Sequence, residues 1–207
     1  MWFPILVGIL ASYMLGNING AVMISGMMQD DVRKHGSGNA GLTNFIRSYG
    51  TAKALLVVCV DAGKAVLACL LTGLLMQPYG MYLEGVMIGG ASAIVGHTFP
   101  ALLGFRGGKG ILSGLFVALV ADWRIALIIL AIFFVIYLFT GYVSLSSLLA
   151  AAGFGVSFGV LHFQESVVMG CGILIAALAI FMHRSNIVRL CTGKEKKTNL
   201  FKKEKSV

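Results

Sequence analysis

The chain has 207 residues, 58% hydrophobic and 12% charged, with a mean hydropathy of +0.90. That composition excludes a soluble globular domain and requires burial in lipid. The formal net charge of +8 is explained by basic residues beside a membrane, which attract anionic headgroups. No aromatic-interleaved basic surface points to a nucleic acid partner.

Spans of about 17–25 apolar residues cross a bilayer core as helices, and helices satisfy every backbone polar group within themselves. On that basis the sequence predicts an all-α integral membrane protein with seven transmembrane helices, some short or broken. The spans are Phe3–Met23, Lys53–Leu75, Leu83–Leu103, Gly110–Ala121, Ile125–Phe139, Leu145–Leu161 and Val167–Phe181. The first residues carry no basic segment of the kind that opens a cleaved secretory signal. Asn17 and Asn19, flanked by Gly16 and Gly20, break the end of the first span. They either satisfy each other across helices or open the backbone near a site. Asp61 and Lys64 lie three apart on one face of the second span, as a structural ion pair or a substrate contact. Gly89-Gly90, and Gly170 with Gly172, suit close helix packing. Pro100 ends the third helix. The fourth span is too short to cross an ideal core, so it must start or end in a protein-lined recess, unless it forms one hairpin with the fifth around Asp122-Trp123-Arg124. The four cysteines show no paired metal-ligand spacing and are expected as reduced thiols. No carboxylate cluster demands a metal, and no cofactor is expected.

With the N-terminus outside, seven spans place residues 24–52, 104–109, 140–144 and everything beyond 182 on one face. Arg33, Lys34, Arg47, Arg106, Lys109, Arg184, Arg189 and the lysines of the tail collect there, while the opposite loops hold only Arg124. The positive-inside rule makes the basic face cytoplasmic, with the C-terminus inside. Residues 1–190 thus form a single polytopic membrane domain, and 191–207 a polybasic cytoplasmic tail.

Two glycine-rich basic stretches lie on that face: His35-Gly36-Ser37-Gly38-Asn39 running on to Asn44 and Arg47, and Phe105-Arg106-Gly107-Gly108-Lys109-Gly110. Glycines let backbone N–H groups converge on an anion, and Lys or Arg adds counter-charge. The second stretch is not a P-loop, which needs a preceding strand and GxxxxGK[ST] spacing. His97, in Gly96-His97-Thr98-Phe99-Pro100, is either a structural hydrogen-bonder or a catalyst beside this pocket. Val143-Ser144-Leu145-Ser146-Ser147 opens the sixth span with hydroxyls that suit a helix cap. His183-Arg184-Ser185-Asn186-Ile187-Val188-Arg189 closes the seventh with cationic and amide groups. Because all four segments end on one side of the membrane, phosphate recognition from several helices is the economical explanation.

These ordered motifs resemble the bacterial acyl-phosphate:glycerol-3-phosphate acyltransferases, the PlsY family, over nearly the whole chain. The resemblance implies a seven-helix enzyme of the bacterial cell membrane, multi-pass, with its site facing the cytoplasm. Its partners would be acyl phosphate, glycerol 3-phosphate and the lipid bilayer. It would move a fatty acyl group from acyl phosphate to the 1-hydroxyl of sn-glycerol 3-phosphate, giving lysophosphatidic acid and phosphate. Carried onto matching positions, Ser37, Asn39, Asn44, Arg47, Lys109, His183 and Asn186 would bind glycerol 3-phosphate. Gly38, Gly107, Gly108, Gly110 and Ser144 would bind acyl phosphate, with Lys109, Ser144, His97 and His183 as the catalytic set. The proton would pass to the substrate phosphate, His97 or His183. No histidine has an Asp five positions on, which argues against the HxxxxD acyltransferases. The chain departs from the family pattern at Asn17, Asn19, Leu42, Gly141, Ser185 and Lys194. Two other classes remain open: a small-anion or phosphate-ester transporter, against which stands the lack of an internal repeat, and an inactive paralogue serving as an assembly factor.

Overall fold

The structure, a computed structural model, describes residues 2–197. Ten α-helices and no strand occur among them: α1 Trp2–Asn17, α2 Gly20–Met27, α3 Leu42–Tyr49, α4 Thr51–Met76, α5 Tyr82–Thr98, α6 Ile111–Ala121, α7 Trp123–Thr140, α8 Val143–Leu161, α9 Ser166–Met182 and α10 Arg184–Cys191. The first expected span is a broken one, since α1 turns by 41° into α2, and the last likewise turns by 54° between α9 and α10. Four helices are long and apolar enough to cross a membrane, or six when each bent pair counts as one span. The remaining apolar helix, α6, has 11 residues, about 16 Å of rise, and its first turn opens in the recess described below. Of the expected tail, residues 198–207 lie outside the described residues, whereas 194–197 return to the site.

Local chemistry explains each break. Asn19 caps α2 by accepting the Val22 N–H at 3.0 Å, and its side-chain amide donates to Ala40 O at 3.0 Å. Asn17 donates to Tyr13 O at 2.8 Å and accepts the Leu102 N–H at 3.0 Å. The two asparagines therefore bind other backbone, not each other. Asp122 begins α7 by accepting the Arg124 N–H. The Arg124 guanidinium beside it holds the Asp122 carboxyl down to about 2.

The main core joins Val86, Met87 and Ile94 of α5 to Val117 of α6, Ile125 of α7, Phe154 and Phe158 of α8 and Val168 of α9. A smaller core of Ala21, Ile24, Val32, Phe45 and Val57 fastens α2, α3 and the first glycine stretch to α4. Exposed Leu55, Leu67, Leu138, Phe139, Val156 and Val160 form an outer surface suited to lipid.

Where α1 crosses α5 there is no room for a side chain. A Cβ on Gly16 would stand 2.2 Å from Ala93 O, and one on Gly96 would stand 2.2 Å from Tyr13 O. Gly89, Gly90 and Gly172 are similarly closed in, as expected, but Gly170 faces open space. Small residues of this kind allow helices in lipid to pack backbone to backbone. Gly96→Leu is accordingly expected to lower stability by at least about 1–3 kcal/mol, the usual cost of overpacking. Gly170→Ala should leave the Tm unchanged or raised. Thermal unfolding of both variants in detergent checks this.

Candidate active site

One cavity of about 490 Å³ opens where α3, α6, α7, α8 and α10 meet. One end is polar, carrying Ser37, Asn39, Arg47, Lys109, Ser144, His183, Asn186, Arg189 and Glu195. The other runs between α6, α7 and α8 and is walled by Leu112, Leu115, Ile129, Leu130, Phe133 and Phe134. Asp61 and His97 reach the inner wall. Residues far apart in sequence thus converge because the glycine stretches and the α9–α10 bend all end at this cavity.

At the polar end the side chains form a chain of contacts. Lys109 Nζ donates to Asn186 Oδ1. Asn186 Nδ2 donates to Glu195 Oε1 at 2.8 Å, and Arg189 Nε donates to Glu195 Oε2 at 2.6 Å. Burial works against the Glu195 charge, yet the hydrogen bonds from Arg189 and Asn186, with the Ser144 hydroxyl close by, outweigh it and keep the carboxyl below its ordinary range. The Ser144 hydroxyl lies buried beside that carboxylate without a well-aligned hydrogen bond of its own. Burial first, and then the neighbouring Arg189 and Arg47 charges, push Lys109 down to about 8, against the opposing pull of Glu195. Arg47 donates to Lys196 O at 3.5 Å, and Lys197 lies over the Tyr142 ring with its stem against Gly141. The segment 194–197 therefore crosses the cavity mouth. His183 Nδ1 stands 2.7 Å from Ala179 O. A carbonyl only accepts, so Nδ1 carries the proton and Nε2 is left with its lone pair.

Several expected residues serve differently from the sequence reading. Asn44 accepts the Ser37 N–H at 2.8 Å and donates to Val32 O, His35 O and Asn39 O at 3.0–3.1 Å. Its amide is used up in shaping the first glycine stretch. Gly107 N donates to Thr98 O and Gly108 N to His97 O, while Gly38 N donates to His35 O. Those amides close the end of α5 and a turn; they do not point at the cavity as an anion cradle. N–H groups do remain at the helix starts, since the first intrahelical bonds are Gly114 N to Gly110 O in α6 and Phe45 N to Gly41 O in α3. Both starts line the cavity. Gly38 instead borders a neighbouring cavity of about 190 Å³ with Arg184 and Ser185, which shares Ser37, Asn39, Lys109 and Arg189 with the first. Glu195 was missed as a site residue, while Asp61, read from sequence as half of an ion pair or a substrate contact, both pairs with Lys64 and lines the cavity. Glu195 sits among tail lysines, where a lone acid looks like part of a solvated charge run.

Comparison with known proteins agrees with this architecture. Residues 6–193 match the family described as Glycerol-3-phosphate acyltransferase. A glycerol-3-phosphate acyltransferase of Finegoldia magna is 38% identical over 197 residues, covering 94% of this chain and 96% of that one. Its counterpart in Neisseria meningitidis serogroup B is 37% identical over 191 residues, covering 90% and 93%. Among solved structures, the crystal structure of PlsY (YgiH), an integral membrane glycerol 3-phosphate acyltransferase, in its glycerol 3-phosphate form superposes with a TM-score of 0.86 at 31% identity. That match covers 96% of this chain and 99% of the other. The lysophosphatidic acid form gives 0.81 at 30% identity, covering 95% and 96%.

With burial pushing Lys109 down to about 8, the polar end should hold anions best below that pH. Sulfate keeps its charge throughout the range and is a clean probe. Its affinity is expected to fall as pH rises through 8, or slightly higher because a bound anion favours the ammonium. Isothermal titration calorimetry should show this fall in the wild type and a much flatter profile in Lys109→Met.

Proposed function

Because the chain belongs to the glycerol-3-phosphate acyltransferase family, we propose that it transfers a fatty acyl group from acyl phosphate to the 1-hydroxyl of sn-glycerol 3-phosphate. The products are lysophosphatidic acid and inorganic phosphate. The observation that carries this reading is the continuity of a cationic end and an apolar channel within one cavity. A soluble phosphate ester suits the first and an acyl chain the second, and the reacting carbonyl then falls at their junction.

Acyl phosphate is a mixed anhydride with a good leaving group, so direct attack by the glycerol hydroxyl needs no acyl-enzyme. The protein's task is to orient that hydroxyl and to stabilise charge on the carbonyl and phosphate oxygens. Arg47, Lys109 and Arg189 neutralise phosphate charge, while Ser37, Asn39 and Asn186 fix its position. The α3 and α6 starts supply backbone N–H groups and the positive end of their dipoles, in place of the Gly38, Gly107 and Gly108 amides. Ser144 lies at the junction and donates to the developing oxyanion. His183 Nε2 is the acceptor that orients the attacking hydroxyl. The proton then leaves to His183 or to the substrate phosphate.

The same reading gives seven membrane crossings, with α6 as a short one completed by the loop before it. The N-terminus lies outside, and the polar end faces the cytoplasm of a bacterial cell membrane. Its support is the basic residues gathered around the cavity mouth and the rarity of such residues on the opposite loops.

Purified protein in lipid, given palmitoyl phosphate and radiolabelled glycerol 3-phosphate, is expected to form labelled lysophosphatidate. Lys109→Ala and Arg47→Ala should each lower kcat/KM by about 10²–10³, the usual cost of removing a charge-stabilising donor. A folded wild type that forms no product at any acyl length, or near-wild-type turnover in either variant, would contradict the proposal.

A further inference from the structure

Behind the cavity wall lies a polar cluster to which the acyl-transfer scheme gives no task. Lys64 Nζ is 2.8 Å from Asp61 Oδ1 and 2.7 Å from His97 Nδ1, and it also donates to Ile18 O. All three side chains are buried, with Asp61 2%, Lys64 4% and His97 4% exposed. An ammonium has three N–H donors and no acceptor. Its three close neighbours use all of them, and Gly16 O stands farther off at 3.4 Å. His97 Nδ1 can then only accept, so the ring proton resides on Nε2.

That nitrogen lies at the junction of the two glycine stretches. A Cβ on Gly108 would come within 2.1 Å of His97 Nε2 and 3.0 Å of Ala40 O, and His97 is among the residues that line the cavity. The same Ala40 carbonyl accepts from Asn19 at the α1–α2 break, while Asp61 accepts the Gly20 N–H at 3.1 Å on its other side. A closed circuit therefore runs from the break through Lys64 and His97 to the second glycine stretch and back through Ala40.

We propose that His97 is a fixed hydrogen-bond donor to an anionic substrate oxygen, and that Lys64 is the positioning residue that fixes it so. The geometry stands by itself; only the identity of the oxygen, on acyl phosphate, rests on the acyltransferase reading. It follows that His97 is not the proton acceptor, because Nδ1 is taken by Lys64 and the nitrogen left for a substrate already carries a hydrogen. Lys64 acts at one remove, holding the imidazole and the backbone break in register.

The test uses the full chain labelled with ¹⁵N-histidine in detergent micelles, with the His97 signals identified by their loss in His97→Ala. Wild type should show an unprotonated Nδ1 and a protonated Nε2 at His97. A protonated Nδ1 overturns the proposal whatever the enzyme's activity, and the spectrum decides this even if no acyl transfer is found. Asp61→Asn/Lys64→Met, which removes both charges together, should free Nδ1 to take the proton in part of the molecules. It should also lower kcat about tenfold or more, as misplaced groups do, with the KM for glycerol 3-phosphate changed little. A folded double variant with wild-type kcat, or one whose loss lies wholly in KM, would also overturn it. His97→Gln, which keeps an N–H donor but cannot act as a base, should turn over measurably faster than His97→Ala. Equal loss in the two would contradict the donor role.

Discussion

Backbone that leaves a helix at membrane depth must find hydrogen-bond partners in the protein, because lipid offers none. In this chain the break between α1 and α2 is met by one ion pair on α4. Lys64 binds the carbonyl end of the break, and Asp61 binds the Gly20 amide that starts the next helix. Neither charge is isolated, which matters because removing one partner of a buried pair costs about 3–5 kcal/mol. From that pair the structure extends outward to His97 and the second glycine stretch, and through Asn19 and Ala40 to the first. The inner wall of the cavity is thus braced by buried groups, of which Asp61 and His97 are themselves part of the wall.

The polar end of the cavity faces the opposite problem, too much like charge in one place. Lys109, Arg47 and Arg189 converge around a single carboxylate, Glu195, which returns from the segment after α10. Glu195 and Asn186 hold Arg189 and Lys109 by direct hydrogen bonds. Under the proposed function, a phosphate ester would meet cations already gathered there, leaving less reorganisation for the reaction itself. The apolar channel between α6, α7 and α8 completes the arrangement and, under the proposed function, would take the acyl chain while its reactive end stays among the cations.

Much of this was legible in the sequence because polar residues are conspicuous against an apolar background. Ser37, Arg47, Lys109, Ser144, His183 and Asn186 were singled out from separate segments, and the fold brings them to one cavity. The Asp61–Lys64 pair followed from helical spacing alone. What escaped depended on where hydrogen bonds are spent. Asn44 looks like a ligand in sequence, but its amide is consumed by three carbonyls and an N–H of its own loop. The amides of Gly107 and Gly108 looked free, yet they close the end of α5, a demand set by tertiary geometry. Asn17 and Asn19 had two possible uses in sequence; their partners, Leu102 and Ala40, are distant in the chain. The break in the first span was marked by Gly16, Asn17, Asn19 and Gly20, whereas the bend in the last stayed hidden, since apolar composition reports depth and not direction.

Under the proposed function the two substrates react directly in this one cavity, with no acylated protein between them. The most direct measurement mixes purified protein with one equivalent of acyl phosphate in the absence of glycerol 3-phosphate, following phosphate release and intact protein mass. Direct transfer predicts no burst of phosphate and an unchanged mass, with release beginning only when glycerol 3-phosphate is added. A burst of one equivalent of phosphate, with the protein heavier by one acyl group, would contradict it.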